Sequence, residues 1–92
     1  AEDYFKSVLE VNPTIALALY YMADIKYDSG EFLSARGYIE RFFSVNEETP
    51  PSLLLASRIE TGLNANDVAQ DYARRLKAKF PSSEQALQLR GQ

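Results

Sequence analysis

Asp24 and Asp28 lie one helical turn apart in the stretch LALYYMADIKYDSGEF, residues 17–32. Two carboxylates at that spacing can grip a metal ion or divide acid and base roles. The rest of the chain withholds what either chemistry needs. It has no histidine and no cysteine, so the commonest general base, the commonest metal ligand and any thiolate nucleophile are missing. No glycine-rich phosphate loop occurs. The residue set therefore argues against an enzyme and implies no cofactor and no metal.

The same residues make a stripe. On a helix, Leu17, Tyr20, Asp24, Tyr27 and Asp28 recur at steps of 3, 4, 3 and 1 and share a face. Such a face offers aromatic anchors and two cation-attracting acids to a protein segment. The plainer alternative packs Tyr20 and Tyr27 between helices with their hydroxyls in water. Tyr21 is expected to pack against the preceding helix. A second charged feature, RRLKAK at residues 74–79, can meet phosphates or lipid headgroups. A solvated helix face with cations near its C-terminus explains it equally well.

Composition narrows the class further. Ninety-two residues, 46% hydrophobic and 25% charged, suit one small globular domain or a piece of a larger one. The net charge of −3 weighs against nucleic acid as a partner. Charge is uneven: residues 1–60 carry five bases and ten acids, residues 61–92 five bases and three acids. No apolar run approaches the roughly 20 residues that span a bilayer, so direct membrane insertion by this segment is not expected. The chain lacks an initiator Met and opens inside a helical pattern, AEDYFKSVLEVNP, which reads as a fragment of a longer protein.

The elements that must position the stripe come from a repeat. Ala1, Ala35 and Ala69 stand 34 apart, as do Tyr4, Tyr38 and Tyr72. Leu19 pairs with Leu53 at the same shift, and Pro13 and Pro81 are two periods apart with Glu47 between them. This period, with a small residue inside and a proline at its end, is that of the tetratricopeptide repeat, a helix-turn-helix unit. The expected fold is an all-α solenoid of antiparallel helix pairs, a fragment of a right-handed superhelix. Residues 1–13 form the second helix of a truncated repeat, 15–47 a full repeat, 50–81 another, and 82–92 a C-terminal capping helix.

In the middle repeat the first helix spans about 15–29, and Leu19, Met22 and Ala23 face the second helix. Gly30 stops it with free access to positive φ. Phe32 opens the second helix, Ala35 permits close approach, and Tyr38, Ile39, Phe42 and Phe43 continue its apolar face. In the next repeat the first helix spans about 52–62 behind Pro50 and Pro51, and the second about 67–80. Asn64 stands in for Gly30 as a left-handed cap, and Ser82 with Gln85 is read as a capping box. Phe42 departs from the pattern, which has a small residue there. The apolar face of Tyr4, Phe5, Val8 and Leu9 lacks one partner helix, so self-association through it is an alternative role.

Beyond the generic repeat, FLSARGYIERF, SLLLASRIE and NDVAQDYARRLKAKFPSSEQA resemble the tetratricopeptide proteins of type IV pilus biogenesis, the PilF/PilW type. The features that carry the likeness are Ser52–Leu55 opening a helix with Arg58 behind, and YARRLKAKFPSS closing the last repeat. The resemblance is best over residues 32–86, and the whole chain fits that family's C-terminal end. It implies a pilotin-like lipoprotein at the periplasmic face of the outer membrane that helps a secretin ring localise and assemble.

In a repeat solenoid the first helix of each unit lines the concave face. The candidate protein-binding set is therefore Leu17, Tyr20, Asp24, Tyr27 and Asp28, extended by Leu54 and Arg58. Arg58 serves a partner's carboxylate or, as the safer reading, pairs with Asp24 or Asp28. The Lys/Asn clamp that other tetratricopeptide domains use on a C-terminal carboxylate is absent: Tyr20, Asp24 and Leu54 occupy those positions. A scaffold for some other multiprotein assembly is the runner-up function.

Overall fold

Helix-stopping residues punctuate this chain at Asn12–Pro13, Gly30, Pro50, Asn64 and Pro81, and the stretches between them are helical. The computed structural model describes residues 1–90, with helices α1 (Glu2–Val11), α2 (Ala16–Asp28), α3 (Phe32–Val45), α4 (Pro50–Gly62), α5 (Asn66–Lys79) and α6 (Glu84–Arg90). No strand occurs among the described residues. None of these helices is long and apolar enough to cross a membrane. The helices fall into two compact units, Ala1–Glu47 and Glu48–Gln92.

In the first unit α2 and α3 form a helical hairpin, and α1 lies against α2. Leu19, Met22, Ala23 and Ala35 are fully buried, with Ile39 and Phe42 beside them. The hairpin turn is closed by Gly30 at φ 79 and by a bond from the Glu31 amide to the Lys26 carbonyl, 2.9 Å. That six-to-one bond satisfies a carbonyl which the helix end would otherwise orphan.

Phe42, large where the repeat pattern has a small residue, is only 5% exposed. Its ring meets the edges of Tyr20 at 6.2 Å and Phe43 at 5.7 Å. The bulk is thus taken up by an aromatic cluster, and Tyr20 becomes part of the packing. Tyr21 packs on the preceding helix as its position suggests, stacked on Phe5 of α1 at 5.3 Å.

The second unit begins with a cap that the sequence reading missed. The Thr49 hydroxyl accepts from the Ser52 amide at 3.2 Å while Ser52 Oγ accepts from the Thr49 amide at 2.9 Å. Pro50 and Pro51 fill the first helical positions, where a missing N–H costs nothing. Leu53, Ala56 and Ile59 are fully buried, and Ser57 Oγ donates to the Ala69 carbonyl at 3.0 Å, tying α4 to α5.

Asn64 takes φ 60 at the α4–α5 turn, and the Ala65 amide donates to the Glu60 carbonyl at 2.9 Å, repeating the Gly30 turn one period later. The cap of α6 is Ser83, one residue beyond the expected Ser82: its Oγ accepts from the Ala86 amide at 3.0 Å. With Ala86 as the third helical residue, Gln85 does not complete a box. The end of the expected 82–92 segment, Gly91 and Gln92, lies outside the described residues.

One interaction recurs at the repeat period. Arg41 lies over the Tyr38 ring at 5.4 Å and donates to the Pro13 carbonyl at 3.2 Å. Thirty-four residues on, Arg75 lies over Tyr72 at 4.7 Å and pairs with Glu48, which Lys79 also reaches at 2.9 Å. In each unit, an arginine stacked on its tyrosine holds the segment that leads into the unit's first hairpin helix.

Candidate protein-binding face

The helix α2 carries five of the seven candidates, and the structure sorts them by how much surface each retains. Leu17 is 61% exposed, a large apolar side chain held out near the start of the helix. Asp28 is exposed at its end. Between them Tyr20, Asp24 and Tyr27 are half-buried. Tyr20 is committed to the Tyr21 and Phe42 rings, and Tyr27 tilts against Phe32 at 5.7 Å. The packing reading of these tyrosines is what the contacts show: each ring is packed against a neighbour, and the half that stays exposed is surface.

Asp24 is the electrostatically unusual member. Its carboxyl is held above its ordinary value by partial burial and then by the negative charge of Asp28 one turn on. The helix's own cation does not relieve it. Lys26 points to the other side and pairs with Glu2 at 3.2 Å and Glu31 at 3.6 Å. That arrangement lowers the Glu2 carboxyl, through Lys26 first and Lys6 second, and raises Lys26, chiefly through Glu2.

In the second unit the two candidates differ. Leu54 is only 6% exposed, so it is a core residue of α4 and presents no free surface of consequence. A helix so apolar in its first half, SLLLAS, is buried on more than one side, and one-stripe spacing cannot tell which leucine stays out. Arg58 is exposed and donates to Gln88 Oε1 of α6 at 3.3 Å, a partner that spacing did not suggest. Sequence reasoning also passed over the Tyr38–Arg41 and Tyr72–Arg75 stacks, although their shared period of 34 was a signal available for them.

Paired helices, turns repeated at 34 residues and a left-handed cap in each define the class: an all-α helical repeat solenoid of the tetratricopeptide kind. The chain is 34% identical over 86 residues, 90% of its length, to the type IV pilus assembly protein PilF of Pseudomonas aeruginosa. It spans 33% of that protein. A solved structure of P. aeruginosa PilF matches 98% of this chain with a TM-score of 0.88 and 28% identity, the chain covering 40% of it. No protein-family model matches. The chain is a tetratricopeptide-repeat segment of the PilF type. Proteins of this type mediate protein–protein interactions.

Proposed function

We propose that this chain is a protein-binding part of a type IV pilus biogenesis protein, and more finely of a pilotin-like outer-membrane lipoprotein that assists the secretin from the periplasmic side. The observation that carries the reading is the likeness to PilF over nine tenths of the chain. The stripe on α2 supplies the contact. Leu17 offers an apolar anchor, the outer edges of Tyr20 and Tyr27 offer flat amphipathic surface, and Asp24 and Asp28 fix the polar register. A secretin segment held there is kept from premature association until the ring forms.

Titrating the isotope-labelled chain with the secretin's periplasmic region tests this. Amide shifts should cluster on residues 17–28 and vanish in Leu17→Ser, which removes an exposed side chain and leaves the melting temperature unchanged. Tyr20→Ala is a poorer probe, because it also opens a gap beside Phe42. Absence of shifts on α2 at high secretin concentration overturns the reading.

A second reading rests on α1, where Tyr4 is 68% and Val11 87% exposed. Self-association through that helix predicts concentration-dependent sedimentation that Tyr4→Asp abolishes. A fixed monomer mass at every concentration rules it out.

A further inference from the structure

We infer that the surface met by α1 is α6 of a second copy of this chain, the two helices rebuilding across copies the kind of hairpin that α2–α3 and α4–α5 form within one. This rests on the self-association reading of α1 and names the face that α1 meets. The repeat register says what each face lacks. Leu19 of α2 and Leu53 of α4 stand 34 apart, and both are fully buried. The next member of that series is Leu87 of α6, which is 54% exposed. Yet α6 is seated as a first helix: it packs on α4 and α5, and Ala86, two periods after the buried Ala18, is itself buried. The side that α2 and α4 turn to their second helices is the one that α6 leaves open. At α1 the lack is the converse. Ile39 and Phe42 of α3 are buried, whereas Phe5 and Val8, one period earlier, are only half-buried. Among the described helices α1 packs on α2 alone. So α6 is a first helix without a second, and α1 a second helix without a first.

Charge sets which faces meet. In a hairpin the end of the first helix lies beside the start of the second, as the bond from Ser57 Oγ to the Ala69 carbonyl shows in α4–α5. The same register brings Arg90, which stands where Met22 and Ala56 are buried one and two periods earlier, beside Glu2 and Asp3 in the first turn of α1. Residues 1–60 carry ten acids and five bases, residues 61–92 three acids and five bases. Opposite charge therefore favours α1 against α6, while α1 against α1 sets acid against acid. The two faces differ, so the contact is heterologous and a row of copies keeps one unfilled face at each end. Helices of ten and seven residues bury little surface, which puts the association at about 0.1–1 mM.

Sedimentation of the chain from about 0.01 to about 2 mM tests this, with one variant blocked at each face: Leu87→Asp on α6 and Val8→Asp on α1. Wild type should gain mass steadily with concentration and pass beyond the dimer. Each variant alone should stay at the monomer mass. An equimolar mixture of the two should form a dimer and stop there, because each variant keeps one intact face. Leu87 is exposed, so Leu87→Asp should melt at the wild-type temperature. If Val8→Asp loosens α1, the mixing result is unaffected, since that variant contributes only α6. Association by Leu87→Asp equal to wild type, or a mixture that remains monomeric, overturns the inference. The reading on which it rests fails separately. Association lost in Tyr4→Asp but kept in Leu87→Asp leaves self-association through α1 and removes α6 as its partner. Wild type that is monomeric at every concentration removes both.

Discussion

Asp24 shows at the residue scale what a half-buried acid beside a like charge costs the folded chain. Its carboxyl titrates above the 3.8 of an unperturbed aspartate because burial, and then Asp28, disfavours its charge. The folded state therefore holds the proton more tightly than the unfolded state. Stability contributed at this position is present at low pH and is lost as pH rises through the window from 3.8 to the raised folded value. Asp24→Asn should stabilise the chain at neutral pH by about 0.5 kcal/mol, the size of an i,i+4 like-charge pair, and remove that part of the pH dependence. Urea midpoints at neutral pH and near pH 4 check both. Gly30 gives a second residue-scale expectation. A Cβ there meets nothing within 4 Å, so the cost of Gly30→Ala is backbone alone, about 1–2 kcal/mol from φ 79. Asn64→Gly at the matching turn should be neutral or slightly stabilising by the same measurement.

Among elements, α3 departs furthest from what the repeat pattern prescribes. By the repeat pattern alone, putting the small residue back as Phe42→Ala is harmless. In the structure Phe42 is buried against Tyr20 and Phe43, so the change removes a ring from a packed cluster and should cost about 3–5 kcal/mol in urea unfolding. Near-UV dichroism should fall with it as Tyr20 loses its neighbour. The hairpin α2–α3 was legible because Gly30 and the 34-residue period mark its turn and pitch independently of packing. The Thr49–Ser52 box was not, because a serine in the third position lies outside the usual Glu/Gln signature for that motif.

For the molecule as a whole, the repeat is a repetition of interactions as well as of residues. Arg41 and Arg75 do the same task with different acceptors, a carbonyl in one unit and the Glu48 carboxylate in the other. Arg41→Met and Arg75→Met should each lower stability by up to about 1 kcal/mol. Raising salt from about 0.05 to 1 M should shrink the second loss and leave the first, because only the second is an ion pair open to screening. Equal salt dependence of the two losses would mean that the ring stacks, and not the acceptors, carry the effect.

Period, turn chemistry and the want of catalytic residue types are local or one-dimensional properties, and the sequence by itself determined them: an all-α repeat with stops at Gly30 and Asn64 and a stripe along α2. Exposure is not local. Whether Leu54 or Leu17 stays in water, whether Tyr20 lends its ring to Phe42, and whether Arg58 reaches Gln88 depend on residues 22 to 30 positions away or on helices packed from several sides. Helical spacing places a side chain on a face, but only tertiary packing decides what covers that face, because burial is a sum over neighbours that the chain brings together by folding.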